Sequence, residues 1–306
     1  MNQNILEVLR SKLLGRTSFD TLPESIWKRS AALNTWGTNA IEGSTISRAE
    51  AERILLEERS VAGKPIRDVM ETIQHEQAFR GLLERRKRKI TLETTLELHE
   101  EVFRGILFEA GHWRRVNVRI RGARFTPPRM EKIQREMTAW ISEYGQRDME
   151  GEDIFELGAW MHFTFERIHP FGDGNGRIGR LLLNLHFLRR NWPPVHVLPQ
   201  HRNDYLNALN TAHEGDYFPL NNLLKTLMGA SLLDLLDQVG TKKDRLLSLK
   251  EAAITFPYSE KYLALRCKQG ELPALREGRE WRTSGRALEL YVDIIGRKAR
   301  NRKLDK

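Results

Sequence analysis

Through most of the first 240 positions, apolar residues recur with the period of a helix. After Leu22-Pro23-Glu24, the residues Ile26, Trp27, Ala31, Leu33 and Trp36 share one helical face, which predicts a helix opening near Glu24. Ser47-Arg48-Ala49-Glu50 has capping-box form, with the Ser side chain capping a helix start and Glu50 reaching back, so a second helix should begin there. Further helices are predicted over 68–84, 92–106, 129–146, 153–168 and 177–190. One stretch departs from this period. In Val116-Asn117-Val118-Arg119-Ile120-Arg121-Gly122 apolar and polar residues alternate, as in a half-exposed strand or hairpin, and Thr126-Pro127-Pro128 ends it. Such a hairpin is either a plain connector or an edge offered to another chain's backbone.

Beyond residue 240 the elements become shorter. Ser248 and Glu251 form another capping box, and Ser259 can cap a second short helix. Glu277-Gly278 suits a tight turn between two short strands, and a last helix follows near Ala287. The expected fold is mainly α, divided as an N-terminal helical region (1–90), a helical core (91–238) and a small C-terminal module (239–306).

Composition narrows the function classes. With 40% hydrophobic and 30% charged residues among 306, the chain has enough apolar material for a sizeable core. It contains no apolar run of transmembrane length and no apolar signal stretch near its start, so a cytoplasmic protein away from membranes is expected. The single Cys267 excludes an intramolecular disulfide and any site built from several cysteines. The net charge of +9 is concentrated at one end: residues 241–306 hold 17 Lys and Arg against 9 Asp and Glu. DNA is the expected partner of that module, and a solvated basic surface is the alternative.

The candidate chemistry lies in His169-Pro170-Phe171-Gly172-Asp173-Gly174-Asn175-Gly176-Arg177-Ile178-Gly179-Arg180. Gly172, Gly174 and Gly176 let the main chain curl into an anion nest at the start of an apolar helix, whose N-terminus adds partial positive charge. Arg177 and Arg180 share a face of its first turn and can both reach a phosphate tail. Asp173 inside the nest would repel phosphate unless a cation intervened, which suggests Mg²⁺. His169 is placed as a general base. Each residue also has an ordinary alternative: a helix cap for His169, an Asx turn for Asp173, simple ion pairs for the arginines. Earlier in the chain, Gly43 should end the first predicted helix, leaving Glu42 where the helix dipole disfavours a negative charge by about 0.3–1 kcal/mol. Glu42 is then either a solvated acid or the partner of a fixed cation.

The twelve-residue segment matches the Fic motif, HxFx(D/E)GNGRxxR, at every specified position, and the chain resembles Fic-domain proteins over roughly 1–235. The resemblance implies a Fic helical core with a short β-hairpin flap, and protein AMPylation: transfer of AMP from ATP to a Ser, Thr or Tyr hydroxyl of a target protein or of the chain itself. By that pattern His169 takes the hydroxyl proton, Asp173 holds Mg²⁺, and Phe171 anchors the loop. Asn175 with the main chain of Gly174 and Gly176 forms the anion hole, while Arg177 and Arg180 hold the phosphate tail. Val118, Arg119 and Ile120 would lie on the flap that registers the target.

Thr38-Asn39-Ala40-Ile41-Glu42-Gly43 is similar to the family's inhibitory helix, in which the Glu pairs with the second motif Arg, here Arg180. That implies an N-terminally autoinhibited enzyme. A de-AMPylase using Glu42 and an ATP-responsive DNA-binding regulator are the alternatives. The module at 239–306 resembles the winged helix-turn-helix domains of excisionases and MerR-type regulators. It would put Lys261, Tyr262 and Arg266 on a recognition helix and Arg276, Arg279 and Arg282 on a wing, with a homodimer as one assembly. Its turn, Phe256-Pro257-Tyr258-Ser259, lacks the usual Gly.

Overall fold

The computed structural model describes residues 1–120, 122 and 125–304, with side chains through 295. The chain divides into two compact units, one formed by Pro23–Asn221 and the other by Met1–Leu22 with Asn222–Lys306.

In the 23–221 unit, helix α2 (Glu24–Ile41) follows α1 (Gln3–Leu14) of the other unit. It ends at Glu42 because Gly43 turns into the left-handed region at φ 95°, where a side chain would be strained. Its most buried face is more polar than the apolar pattern indicated. Asn34, Thr35, Thr38 and Asn39 are buried, whereas Leu33 and Trp36 are only half-buried. Several of these side chains have partners: Asn34 Nδ2 donates to the Val195 carbonyl at 3.1 Å, Thr35 meets Nδ1 of His75 at 2.9 Å, and Thr38 accepts from Arg180 at 2.6 Å.

Helix α3 (Arg48–Leu55) starts with the Ser47–Glu50 capping box in place. Helices α4 (Ile66–Arg85) and α5 (Leu92–Phe103) follow, the latter capped by Thr91. A short 3₁₀ turn leads into α6 (Ile133–Met149), and Asp153 caps α7 (Ile154–Ile168) by accepting from Phe155 and Glu156 N–H groups. Helix α8 (Asn175–Arg189) packs against α7, α4 and α5. Its Ile178, Leu181, Leu182, Leu183, Phe187 and Leu188 are fully buried, each worth roughly 1.5–3 kcal/mol of apolar burial. A helix sequestered on all sides is a rigid mount for the residues at its start. Helix α9 (Arg202–His213) completes the unit before α10 (Phe218–Val239).

The predicted hairpin at 116–122 differs from the structure. No strand forms over 116–120: Val118 and Ile120 are half-buried and Arg119 is exposed, but Val116 is 58% exposed, so burial alternates over only part of the stretch. Among the described residues, no strand lies there for it to pair with. Arg121 lies outside the described residues.

The other unit contains α1, α10 from Asn222 onward, and the C-terminal elements. These are β1 (Leu246–Ser248), α11 (Leu249–Thr255), α12 (Glu260–Lys268), β2 (Leu275–Glu277), β3 (Glu280–Ser284) and α13 (Gly285–Leu304). The strands form an antiparallel sheet in the order β1-β3-β2, with Leu246 opposite Ser284 and Glu277 opposite Glu280. Both expected caps, Ser248 and Ser259, are present, and Gly278 takes the turn at φ 60°. Among the described residues, no helix is long and apolar enough to cross a membrane.

Burial in the 23–221 unit makes it acid-labile. His75 and His162 are pushed down to about 3, and His99, His186 and His196 to about 4, all by burial away from water. Folding keeps these rings neutral, whereas the unfolded chain protonates them near 6.5. Their shared contribution is therefore intact above 6.5 and is lost as pH falls from 6.5 towards 4, by about 1.4 kcal/mol per ring per pH unit. Against a typical stability of about 5–15 kcal/mol, the expected acid-unfolding midpoint lies between about pH 4 and 6. Circular dichroism across that range checks it, and native helicity at pH 3.5 would contradict it.

Candidate active site

The helix pair α7–α8 meets at a loop running from His169 to Gly174. His169 ends α7 in the left-handed conformation, φ 53° and ψ 60°, which turns its side chain off the helix. Its Nδ1 lies 3.2 Å from the Glu166 carbonyl. A carbonyl can only accept, so Nδ1 carries the proton and Nε2 holds the lone pair of a base. Burial lowers the imidazole pKa to about 4, with Arg114 adding to that effect and the Glu166 carbonyl opposing it.

The loop is braced from within and from behind. The Asn175 carboxamide accepts from the Phe171 N–H and donates to the Phe171 carbonyl, both at 2.9 Å. Its side chain is thus a strut across the loop. Phe171 is fully buried and stacks on His99, ring centroids 3.7 Å apart. Gly174 sits at φ 83°, and a Cβ there would lie 2.2 Å from the Phe103 ring, so only glycine fits. Gly172 is exposed, and the Gly176 N–H lies in the first turn of α8, where the helix offers it no acceptor.

The charged residues converge on this rim. Arg177 and Arg180 have side chains only 5% exposed. Arg180 donates to Glu42 Oε1 at 2.6 Å and to the Thr38 hydroxyl at 2.6 Å. A Cβ on Gly176 would meet Glu42 Oε1 at 2.3 Å, so the carboxylate lies directly over the glycine in the first turn of α8. Burial opposes ionisation of Glu42, but the Arg180 charge and hydrogen bond, with help from Arg177, hold its carboxyl below the ordinary range. Arg177 pairs with Glu71 at 2.5 Å and with Asp173 Oδ1 at 3.3 Å. Asp173 also takes the Gly174 N–H at 2.6 Å and Arg67 at 2.7 Å. Burial raises the Asp173 pKa, yet Arg177 and Arg67 outweigh it and keep the group ionised.

Several contributors carry no signal in the motif. Arg67 and Glu71 come from α4. His99 of α5 accepts from the Gly111 N–H with Nδ1, so its Nε2–H donates to the Asp173 carbonyl at 3.2 Å. Buried Arg114 donates to the carbonyls of His169 (2.8 Å), Val116 (2.7 Å) and Pro128, tying the backbone at Val116 and Pro128 to that at His169. Glu166 is pushed up to about 8 by burial, against the pull of Arg180, and its Oε1 has no hydrogen-bond partner. Among the described residues, no group of three or more His, Cys, Asp or Glu could hold a metal. A single half-exposed carboxylate still suits Mg²⁺, which takes most of its ligands from water and substrate phosphates.

The C-terminal basic residues are placed unequally. Lys261, Arg276 and Arg279 are exposed. Tyr262 stacks on Tyr258 at 4.9 Å and meets the Tyr291 hydroxyl at 3.2 Å. Arg266 lies over the Tyr262 ring and bonds Gln269 and Glu271, and Arg282 pairs with Glu277 at 2.8 Å.

Residues 89–187 match the Fic/DOC family. The chain is 31% identical over 233 residues to protein adenylyltransferase fic-1 of Caenorhabditis elegans, covering 74% of this chain and 46% of that one. It therefore spans about half the length of that curated relative. Among solved structures it is similar to C. elegans Fic-1 residues 134–508, with TM-score 0.65, 28% identity, and coverage of 76% of this chain and 71% of that one. A Fic-domain signalling protein from Bacteroides thetaiotaomicron shares the fold at TM-score 0.68 and 23% identity, covering 76% of this chain and 97% of the other.

Proposed function

The chain carries a Fic domain, and from that premise we propose that it is an autoinhibited protein adenylyltransferase. It transfers AMP from ATP to a Ser, Thr or Tyr hydroxyl of a target protein. The observation that carries the reading is the Glu42–Arg180 contact at 2.6 Å, set over Gly176 at the start of α8, just after the loop that presents Nε2 of His169. A buried guanidinium at a helix N-terminus is a phosphate seat, and a carboxylate of this chain sits in it.

In the reaction, His169 Nε2 takes the proton of the attacking hydroxyl as its oxygen bonds to the α-phosphorus and pyrophosphate leaves. The main-chain N–H groups around Gly172 and Gly176, with the α8 dipole, meet the charge developing on phosphate. Arg177 and Arg180 hold the tail of the triphosphate once Glu42 has withdrawn. Asp173 would hold Mg²⁺, which supplies charge neutralisation for the phosphates when bound. The segment around Val118, Arg119 and Ile120, flanked by carbonyls that Arg114 holds, would register the target's backbone. Label should pass to protein from α-labelled ATP and not from γ-labelled ATP. Transfer from the γ position would replace adenylylation with phosphorylation.

A second partner is favoured by the exposed Lys261, Arg276 and Arg279 on α12, β2 and the β2–β3 turn, an arrangement that suits DNA. Tyr262, Arg266 and Arg282 would act in that reading by shaping the surface. The full chain should bind duplex DNA with an affinity that falls steeply with salt. Arg276→Glu/Arg279→Glu should weaken it at least about tenfold, in line with the loss of phosphate contacts. Equal binding by the double variant, measured by fluorescence anisotropy, would reassign the surface to a protein partner.

A further inference from the structure

Asp173 is the one carboxylate of the loop, and both of its oxygens already have cationic partners. Oδ1 takes the Gly174 N–H and Arg177, while Oδ2 takes Nη2 of Arg67 at 2.7 Å. Arg67 is not part of the motif: it lies 106 residues earlier, in the first turn of α4. Its Nε also bonds Glu71 at 2.8 Å, and Glu71 in turn pairs with the buried Arg177. The next residue, Asp68, accepts from the N–H and the hydroxyl of Thr45, each at 2.8 Å. That first turn is therefore fastened to the segment just beyond Glu42, and the guanidinium of Arg67 is held on Asp173 from a fixed base.

A divalent cation on Asp173 would have to use the remaining lone pair of Oδ2. Mg²⁺ needs its oxygens at about 2.0–2.1 Å, which would put it within about 4 Å of the Arg67 charge. Either the two cations repel each other across one oxygen or the arginine gives way. The pair is half-exposed on both sides, with side chains 51% and 46% accessible, so the arginine can leave at modest cost.

We propose that Arg67 is a resident cation at the divalent-cation position of Asp173, a second latch that metal entry must displace. The proposal rests on the nucleotide-site reading given above, which makes Asp173 the metal carboxylate. It adds a condition to that reading. Opening the site requires two exchanges: phosphate for Glu42 on Arg180, and metal for Arg67 on Asp173. After release, Glu71 keeps the guanidinium beside the loop.

The test is Mn²⁺ binding to the full chain, read from the EPR signal of free Mn²⁺, first without nucleotide and then with ADP. Arg67→Gln, which keeps much of the stem but not the charge, and Arg67→Ala should both bind Mn²⁺ roughly 1.5- to 5-fold more tightly than wild type, the range open to a half-exposed ion pair. Arg67→Lys should stay near wild type. Arg67→Gln combined with Asp173→Ala should lose the gain, which places it at this carboxylate. Unchanged or weaker Mn²⁺ binding in both charge-removing variants would overturn the proposal, as would a gain that survives the loss of Asp173. Failure of ADP to bind any variant would overturn the nucleotide reading instead, while the nucleotide-free titration still decides the role of Arg67.

Discussion

Glu42→Gly is expected to raise AMP transfer from ATP about 10- to 100-fold over wild type. The size follows from the contact it removes. A hydrogen bond between charged groups is worth about 1.5–3 kcal/mol, and each 1.36 kcal/mol is a factor of ten in rate. Glu42 makes such a bond to Arg180 at 2.6 Å, and its carboxylate covers Gly176. Glycine at position 42 removes both obstacles and is tolerated by the backbone, because Glu42 is the residue at which α2 ends. The substitution carries a cost in stability. Arg180, with a side chain 5% exposed, keeps Thr38 as a partner but loses its counter-charge, so the nucleotide-free variant should melt lower than wild type. ATP should recover most of that loss, since its phosphates replace the carboxylate. Transfer of α-label into protein and thermal melts with and without ATP measure both effects. A variant that binds ATP but labels no better than wild type would remove the brake from the proposal. If wild type strips AMP from a labelled target and Glu42→Gly does not, Glu42 belongs to a de-AMPylating reaction.

His169→Ala should lower transfer by about 10²- to 10⁴-fold while leaving ATP affinity within a few-fold, the pattern of a lost general base. The test is cleanest in the Glu42→Gly background, where there is activity to lose. The pH profile carries a separate signature. Burial holds His169 near 4, so the ring is already deprotonated throughout neutral pH. Activity should be flat between about pH 6 and 8, with no loss centred on the ordinary His value near 6.5. A limb centred there, in a range where the protein remains folded, would mean that the ring is hydrated in the working enzyme and that the buried geometry is not the reactive one.

The loop from His169 to Arg180 was legible in the sequence because its parts are neighbours in the chain. Glycines, acid, base and paired arginines at fixed spacing can be weighed together before any fold is known. Its supports were not legible. Arg67, Glu71, His99 and Arg114 reach the loop from other helices and turns, at sequence separations of 55 to 106 residues, and nothing in their local pattern distinguishes them from surface charges. The caps at Ser47, Ser248 and Ser259 could be read because a cap is a four-residue interaction. The buried face of α2 was misjudged for the opposite reason. Thr35 and Thr38 look solvent-facing until His75 and Arg180 are brought to them by tertiary packing. At 116–120 burial alternates only from Asn117 onward, because Val116 is exposed, and alternation alone does not supply a neighbouring strand. In the C-terminal module the basic residues were visible, while the internal use of Arg266 and Arg282 by nearby acids depended on the folded arrangement.

The order of Glu42 and Arg180 along the chain has a consequence for biogenesis. The two residues are 138 positions apart, with the carboxylate on the N-terminal side. Ribosomes deliver a chain from its N-terminus at about 5–20 residues per second, so α2 is already outside while the motif is still being made. The first Arg180 to leave the exit tunnel therefore finds its counter-charge waiting, and on the proposed reading the newborn protein passes through no stage in which the loop is complete and Glu42 has yet to be synthesised. A brake placed after the motif would leave such an interval in every round of translation, with nucleotide and nascent chains of other proteins close at hand.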